Sequence, residues 1–476
     1  MDHRPLRSRS SLAAAAPALL SRLSLLSFSL TAALVGCGPA DEGEGEDAGE
    51  DPREATYTWH RDVAPVIAEA CAGCHVEGDI APFALTTYPE VSALAAILTP
   101  SIEARSMPPW PPAAGCNQYE HDRSLTEEQR ATLLTWLDEG APEGDPAEAA
   151  PLPEPADAWI PDVTAAMPEP YVPAIEPDDY RCFLLEPGDL AELDGTRYVT
   201  GFEVFPGERA VVHHVIAYLV DAEQVAAFEA LDAGDPGPGY TCFGGPNGMQ
   251  GSGSGSGARW LGSWVPGSTP WAAPEGSGIA IEPGVRLVVQ MHYNTSSSAP
   301  VADRTSLGLR LEDSVEHPGM MFPLTDIGWV TGSSPMTIPA GEPAVVHSTT
   351  IERDGPLLSL LLGRLGVGAS ETVAISSAGL HMHTLGHRAR LAVRHADASE
   401  SCLLELDDYD FAWQGGYDLR EAVQLGPDDA LELSCEWDNS AENQPIIDGA
   451  VRAPQDVAWG EGTFDEMCLG VVYVSR

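Results

Sequence analysis

Beyond residue 156 the chain reads as short apolar or alternating runs cut by glycine, proline and aspartate. This pattern favours strands and leaves little room for long helices. Residues 198–202, 210–220, 285–293, 391–393 and 469–474 are the clearest runs. Composition agrees, since 47 Gly and 41 Pro with only 7% aromatic residues suit turn-rich β structure. At 476 residues and 43% apolar content the chain is too long for one core and apolar enough for several. The expectation is a mainly β protein with two tandem β-sandwiches, residues 156–318 and 319–476, behind a small all-α domain. The Gly/Ser alternation at residues 251–257 is expected to be a flexible surface loop, because strand signals flank it on both sides.

Histidines sit on these runs in informative places. His213 and His214 are neighbours within a strand signal, so they point to opposite faces unless the backbone bulges or bends there. A bend would let both imidazoles reach one metal, with His292 as a third nitrogen; without one, the pair is an ordinary turn or surface feature. His381 and His383 are two apart, which on a strand places them on one face as a chelate. Met467 is the candidate soft ligand to complete that set, and two imidazoles with a thioether suit copper better than zinc. His387 reads as a surface residue or a neighbour of the ligands, and His60, His317, His347 and His395 carry no such pattern and read as solvated or core residues.

Residues 56–142 have a different character. Apolar spacing from Val63 onward suggests a short helix that runs into Cys71-Ala-Gly-Cys74-His75. Cys-x-x-Cys-His is the attachment signature of a c-type haem, with two thioethers and an axial histidine. A disulfide would use the same cysteines, and a zinc knuckle would need two further ligands at suitable spacing, which this region lacks. Met107, held extended by the prolines of Ser106-Met-Pro-Pro-Trp110, is the candidate sixth ligand to the iron. His121 is the alternative, and core filler is the ordinary role of a methionine. Thr126 and Gln129 form a capping box ahead of a helix whose apolar face is Leu133, Leu134, Trp136 and Leu137, and Gly140 and Pro142 stop it. A Pro/Glu/Ala-rich linker, residues 143–155, follows.

The chain begins with Arg4, Arg7, Arg9 and Arg22 ahead of an apolar stretch, residues 23–35, too short to span a bilayer but right for a secretory leader. The leader ends in Leu34-Val35-Gly36-Cys37, which resembles the bacterial lipobox, so residues 1–37 read as a lipoprotein signal and Cys37 as its lipidation site. Residues 38–55, rich in Gly, Glu and Asp, read as a disordered tether. The expected location is outside the cytoplasm, on a bacterial membrane that the protein touches only through its lipid. Charge narrows the partners further. With 24 basic residues, every one of them Arg, against 72 acidic ones, the formal net charge is −48. Such a chain repels nucleic acid and anionic lipid, and the absence of Lys removes Schiff-base chemistry.

Taken in order, His213-His214, Gln290-Met-His292-Tyr, His381-Met-His383 with Leu385-Gly386, and Asp465-Glu-Met467-Cys468 resemble the type II copper, ascorbate-dependent monooxygenases. These are the family of peptidylglycine α-hydroxylating monooxygenase and dopamine β-monooxygenase, and the resemblance covers about 300 residues. His75, the run at residues 80–83 and residues 107–110 look like the cytochrome modules fused to bacterial members. The resemblance implies two jelly-roll domains and two copper ions facing each other across a solvent cleft. His213, His214 and His292 would hold the electron-transfer copper with Gln290 beside it, and His381, His383 and Met467 the copper that binds O2. It also implies the disulfides Cys182–Cys242 and Cys435–Cys468, and leaves Cys116 and Cys402 unassigned. Where the peptide-amidating enzyme has an Arg two residues before the first His of His-x-His, this chain has Gly379. Leu469 and Val471 replace the polar residues expected after Met467, which argues against a peptidylglycine substrate.

The activity expected on this basis is hydroxylation of a C–H bond in a small molecule with O2. Electrons would come through the haem from an ascorbate-like reductant or a donor protein. The competing expectation is a copper- and haem-containing electron-transfer or redox-sensing lipoprotein without catalysis. The fold and metals would look the same in both, but a degenerate relative would be free to lose Met467.

Overall fold

Strand alternation and short turns build two β-sandwiches that share one sheet. The computed structural model describes residues 55–476, except 79–80, 154–158, 176–177, 243–244, 248–257, 296–298, 412, 448–449 and 461–463. The leader, Cys37, the tether up to residue 54 and the Gly/Ser loop at 251–257 lie outside the described residues.

In the first sandwich a five-stranded antiparallel sheet has the order Tyr240–Thr241, Asp178–Leu184, Arg286–Asn294, Val212–Val220, Ala258–Trp264. It packs on one half of a nine-stranded sheet, in the order Val163–Ala166, Ser306–Glu312, Arg197–Phe205 and Ser277–Ile281. That sheet continues through His317–Leu324, Leu469–Ser475, Val373–His381 and Gly416–Leu425, with Trp271–Ala272 pairing on Arg197–Phe205. The join is a parallel pairing of Ser277–Ile281 with His317–Leu324. A four-stranded sheet, Val345–Glu352, Ala430–Trp437, Gly386–Arg394 and Glu400–Leu406, covers the second half.

The inward positions fill two cores. Phe183, Val215, Leu287 and Val289 meet Val199, Phe202, Leu307 and Leu309 in the first. Leu391, Val393, Leu431 and Leu433 meet Ile375, Ala378, Val472 and Val474 in the second. Each such side chain contributes roughly 1.5–3 kcal/mol of burial. Along Ala430–Trp437 buried and half-buried residues alternate, the signature of a strand with one face inward. The strands expected from the sequence are all present. The protein is mainly β.

The N-terminal part is helical. A π-helical turn, Trp59–Val63, leads into Ala64–Ala70, and Tyr88–Ala93, Ala95–Glu103 and Glu127–Asp138 follow. Thr126 Oγ1 accepts from the Gln129 amide while the Gln129 side chain accepts from the Thr126 amide, as the capping box requires. Val63, Ile67, Val91, Leu133 and Trp136 make a separate small core. Glu143 and Ala150 hydrogen-bond back to His60, so the acidic stretch after the last helix folds onto the helices.

Residues 110–120 do not belong to that helical core. Trp110 and Tyr119 pack into the second sandwich, and Pro112 and Tyr119 form bridges with Leu406 and Leu419. Cys116 is disulfide-bonded to Cys402, which answers the pairing the sequence left open. The described part of the chain, Ala55–Arg476, is one compact unit.

Candidate metal centres and the cleft between them

The strand Val212–Val220 pairs Val212 with Tyr293 and then His214 with His292, skipping His213. That skipped residue is a β-bulge, the backbone bend the sequence reading required for both imidazoles to share a face. Nδ1 of His213 lies 3.4 Å from Nδ1 of His214 and 3.2 Å from that of His292, and His214 and His292 are 3.1 Å apart. Nitrogens about 2 Å from a tetrahedral ion sit about 3.3 Å from one another, so the donor set fits a bound metal.

Second contacts hold these rings. Nε2–H of His292 donates to Oδ1 of Asp178 at 2.8 Å, which leaves the lone pair on Nδ1, facing the other two imidazoles. Tyr180 stacks on the same ring at 4.2 Å. Burial raises the Asp178 pKa, but hydrogen bonds from His292 and Asn294 outweigh it and hold the carboxyl below its usual range. Burial first, then the neighbouring His292, pushes His213 down to about 4. Burial pushes His214 well down too, helped by His292, His213 and His381. These imidazoles are therefore neutral at pH 7, as metal ligands must be. Gln290 is two residues from His292 on the same strand and donates to the Cys242 carbonyl, beside the Cys182–Cys242 disulfide.

The second group is built at the end of another strand. His381 closes Val373–His381 opposite Leu469, and the His383 amide donates to Glu466, the residue before Met467. Buried Met382 turns into the core between the two histidines, whose ring centroids are 5.1 Å apart. Nδ1–H of His381 donates to Oε1 of Gln414 at 2.6 Å, and Nδ1–H of His383 donates to the Asp465 carbonyl at 3.0 Å. Both bonds leave the lone pair on Nε2, the opposite nitrogen from the one used by His292. Burial, then the neighbouring His383, pushes His381 down to about 3, with the Gln414 bond pulling the other way.

Glu466 braces this turn. Its Oε1 accepts from the Leu385 amide at 2.7 Å, and its Oε2 from the His383 amide at 2.9 Å and from Nε1 of Trp437 at 2.8 Å. Burial pushes its carboxyl up to about 7 against those bonds. Met467 is itself buried, and Cys468 is bonded to Cys435 on the neighbouring sheet.

Residues 367–475, which hold this second group, match the model of the copper type II ascorbate-dependent monooxygenase C-terminal domain. No curated protein matches the chain. Among solved structures, the infectious bursal disease virus VP2 subviral particle matches over 67% of this chain and 74% of its own. Its 9% identity and TM-score of 0.16 carry no argument about this protein.

The matched segment and the first sandwich share a cavity of about 180 Å³, and both His214 and His381 line it. Gly379 and Val471, where the chain departs from the peptide-amidating pattern, are cross-strand partners on its wall. Leu469 is not among the lining residues.

The Cys-x-x-Cys-His run forms the turn after helix Ala64–Ala70. Neither Cys71 nor Cys74 is disulfide-bonded, and burial, then Cys74, pushes the Cys71 thiol up to about 12. His75 donates from Nδ1 to the Phe83 carbonyl at 3.1 Å, which turns Nε2 outward as an axial ligand requires. These three residues fit a thioether-linked haem. Met107 is 39% exposed and lines a different hollow with Ile102, Pro108 and Trp110, whose walls do not include Cys71, Cys74 or His75. His121, the alternative ligand, lines the cavity shared by His214 and His381.

Sequence reading missed Asp178, Gln414 and the brace role of Glu466. Only Glu466 left a signal, as the acid directly before Met467. Asp178 and Gln414 are 114 and 33 residues from the histidines they hold.

Proposed function

We propose that this protein is a copper-dependent monooxygenase that hydroxylates a C–H bond of a small molecule. One oxygen atom of O2 enters the product and the other leaves as water, with two electrons and two protons supplied from outside. The observation that carries this reading is that His214, from one imidazole group, and His381, from the other, line the same cavity. Copper held by His213, His214 and His292, and by His381, His383 and Met467, would supply one-electron redox chemistry and O2 reduction. The chain's own part is to keep His213, His214 and His381 neutral by burial. It also directs one nitrogen each of His292, His381 and His383 through Asp178, Gln414 and the Asp465 carbonyl, and anchors Met467 through Glu466 and Cys468. Aromatic walls, including Trp260 and Trp271, keep bulk water from the reacting carbon.

The electron source in this reading is a c-type haem on Cys71, Cys74 and His75, refilled by an ascorbate-like reductant or a donor protein. A Cβ built on Gly267, a lining residue of the cavity, would lie 2.6 Å from Sγ of Cys74, so this cysteine, which would hold the haem, stands against the cavity wall. The leader and Cys37 support attachment to a bacterial membrane by lipid, outside the cytoplasm.

The test is metal content and turnover. The purified chain should carry two coppers and one haem, and should consume O2 with ascorbate in the presence of a panel of small C–H substrates. Met467→His should keep copper but lose turnover, because a third imidazole favours Cu(II) over the Cu(I) needed for O2. A single copper after reconstitution, zinc in its place, or full activity in Met467→His would sink this reading.

A further inference from the structure

The cavity has three kinds of wall, and one of them comes from outside the sandwiches. It is residues 110–123, between the helices Ala95–Glu103 and Glu127–Asp138, from which Trp110, Glu120, His121 and Arg123 line the cavity. They are fixed to the second sandwich by the Cys116–Cys402 disulfide, by Asn117 donating to the Cys402 carbonyl, and by backbone bonds between Gln118 and Arg420 and between Glu120 and Asp418. This segment brings Arg123 to the cavity. Arg123 is the one guanidinium among the described residues lining it, in a chain that has no lysine. Its Nη1 lies 2.9 Å from a Cβ built on Gly267, and it makes no hydrogen bond or ion pair among the described residues. Two carboxylates line the same cavity. Asp418 is half-buried and accepts hydrogen bonds from Ser377 and Trp271, while Glu120 is exposed.

We propose that Arg123 is the substrate anchor of this cavity and that its ligand is a small aromatic monocarboxylate. The proposal rests on reading the cavity as the place where substrate binds. A guanidinium with no hydrogen bond or ion pair among the described residues, set in an aromatic pocket, is matched by a carboxylate that it can hold in a forked pair of hydrogen bonds. The two nearby carboxylates disfavour a dianion such as a phosphate, because one positive charge cannot offset it among like charges. Trp110, Phe202, Trp260 and Trp271 present ring faces and edges that suit an aromatic body. An apolar cavity of roughly 150 Å³ holds a benzene, so about 180 Å³ takes one ring and a short chain. The arrangement also explains how the chain manages with Gly379 and Val471 on the opposite wall. The anchor has moved from the sheet to the segment stapled across it.

The experiment uses the full chain and three probes of similar size: phenylacetate, phenylacetamide and phenethylamine, with affinities measured by calorimetry. Phenylacetate should bind about tenfold or more tightly than phenylacetamide, the gain expected for a charge-assisted pair. Arg123→Gln should remove that preference, and Arg123→Lys should keep part of it. Copper content should be the same in all three proteins, which shows that a lost preference is not a lost fold. Equal binding of acid and amide, tightest binding of phenethylamine, or a preference that survives Arg123→Gln would overturn the proposal. Because binding is read without turnover, a protein that prefers phenylacetate through Arg123 but never consumes O2 would refute the monooxygenase reading and leave the anchor standing.

Discussion

Asp178 and Gln414 decide which nitrogen of their histidines keeps the proton, and the two choices are opposite. His292 is held through Nε2 and presents Nδ1, whereas His381 is held through Nδ1 and presents Nε2. Glu466 works mainly on the backbone instead, accepting from the His383 and Leu385 amides as well as from Nε1–H of Trp437. Glu466→Gln would turn an amide NH2 against one of those donors and leave it unsatisfied. The loss should be about 2 kcal/mol or more in denaturant unfolding of the copper-free chain. The buried histidines set a pH dependence. His213 has its folded pKa near 4, below the ordinary 6.5, so its unfolded form gains a proton first as pH falls. Its contribution to stability is therefore full above pH 6.5 and is lost on the way down to about 4. Between pH 7 and pH 5, metal-free His213→Asn should lose about 1–2 kcal/mol less stability than the metal-free parent. Equal losses in the two proteins would show that His213 titrates normally.

At the scale of elements, one β-bulge and one disulfide do most of the arranging. Without the bulge at His213, the strand's period of two would send His213 and His214 to opposite faces of the sheet. Cys116–Cys402 closes 286 residues and holds residues 110–123 against the edge of the second sandwich. Replacing both cysteines by serine should cost about 2–5 kcal/mol. It should also open that segment to limited proteolysis before the sandwiches themselves are cut. If cleavage begins elsewhere, the segment is held by Tyr119 and the backbone bridges alone.

Across the whole molecule, the stapled segment and both sandwiches meet at one cavity, and the helical part reaches its wall. Cys74 lies against Gly267, Gly267 lines the cavity, and His214 and His381 line it too. On the proposed function, a pre-reduced haem should be oxidised on mixing with O2 and substrate, in step with product formation. His214→Ala should leave it reduced. Stopped-flow absorbance of the haem reads this directly, and equal rates in both proteins would show that the haem does not feed that copper.

What the sequence determined by itself is local in kind. The strand runs at residues 210–220 and 285–293, the Thr126–Gln129 cap, Cys-x-x-Cys-His and the i, i+2 pair His381 and His383 all follow from side-chain period and backbone geometry over a few residues. The sequence could even state that His213 and His214 need a bulge to act together, though not that the strand contains one. The tertiary structure decided everything that depends on which distant segments meet. It sets Asp178 on His292, pairs Cys116 with Cys402, joins both sandwiches through one sheet and carries Arg123 to the cavity. Those contacts join residues tens to hundreds of positions apart, and no local period encodes them. They are set by the packing of two cores and a stapled segment, which exists only once the whole chain has folded.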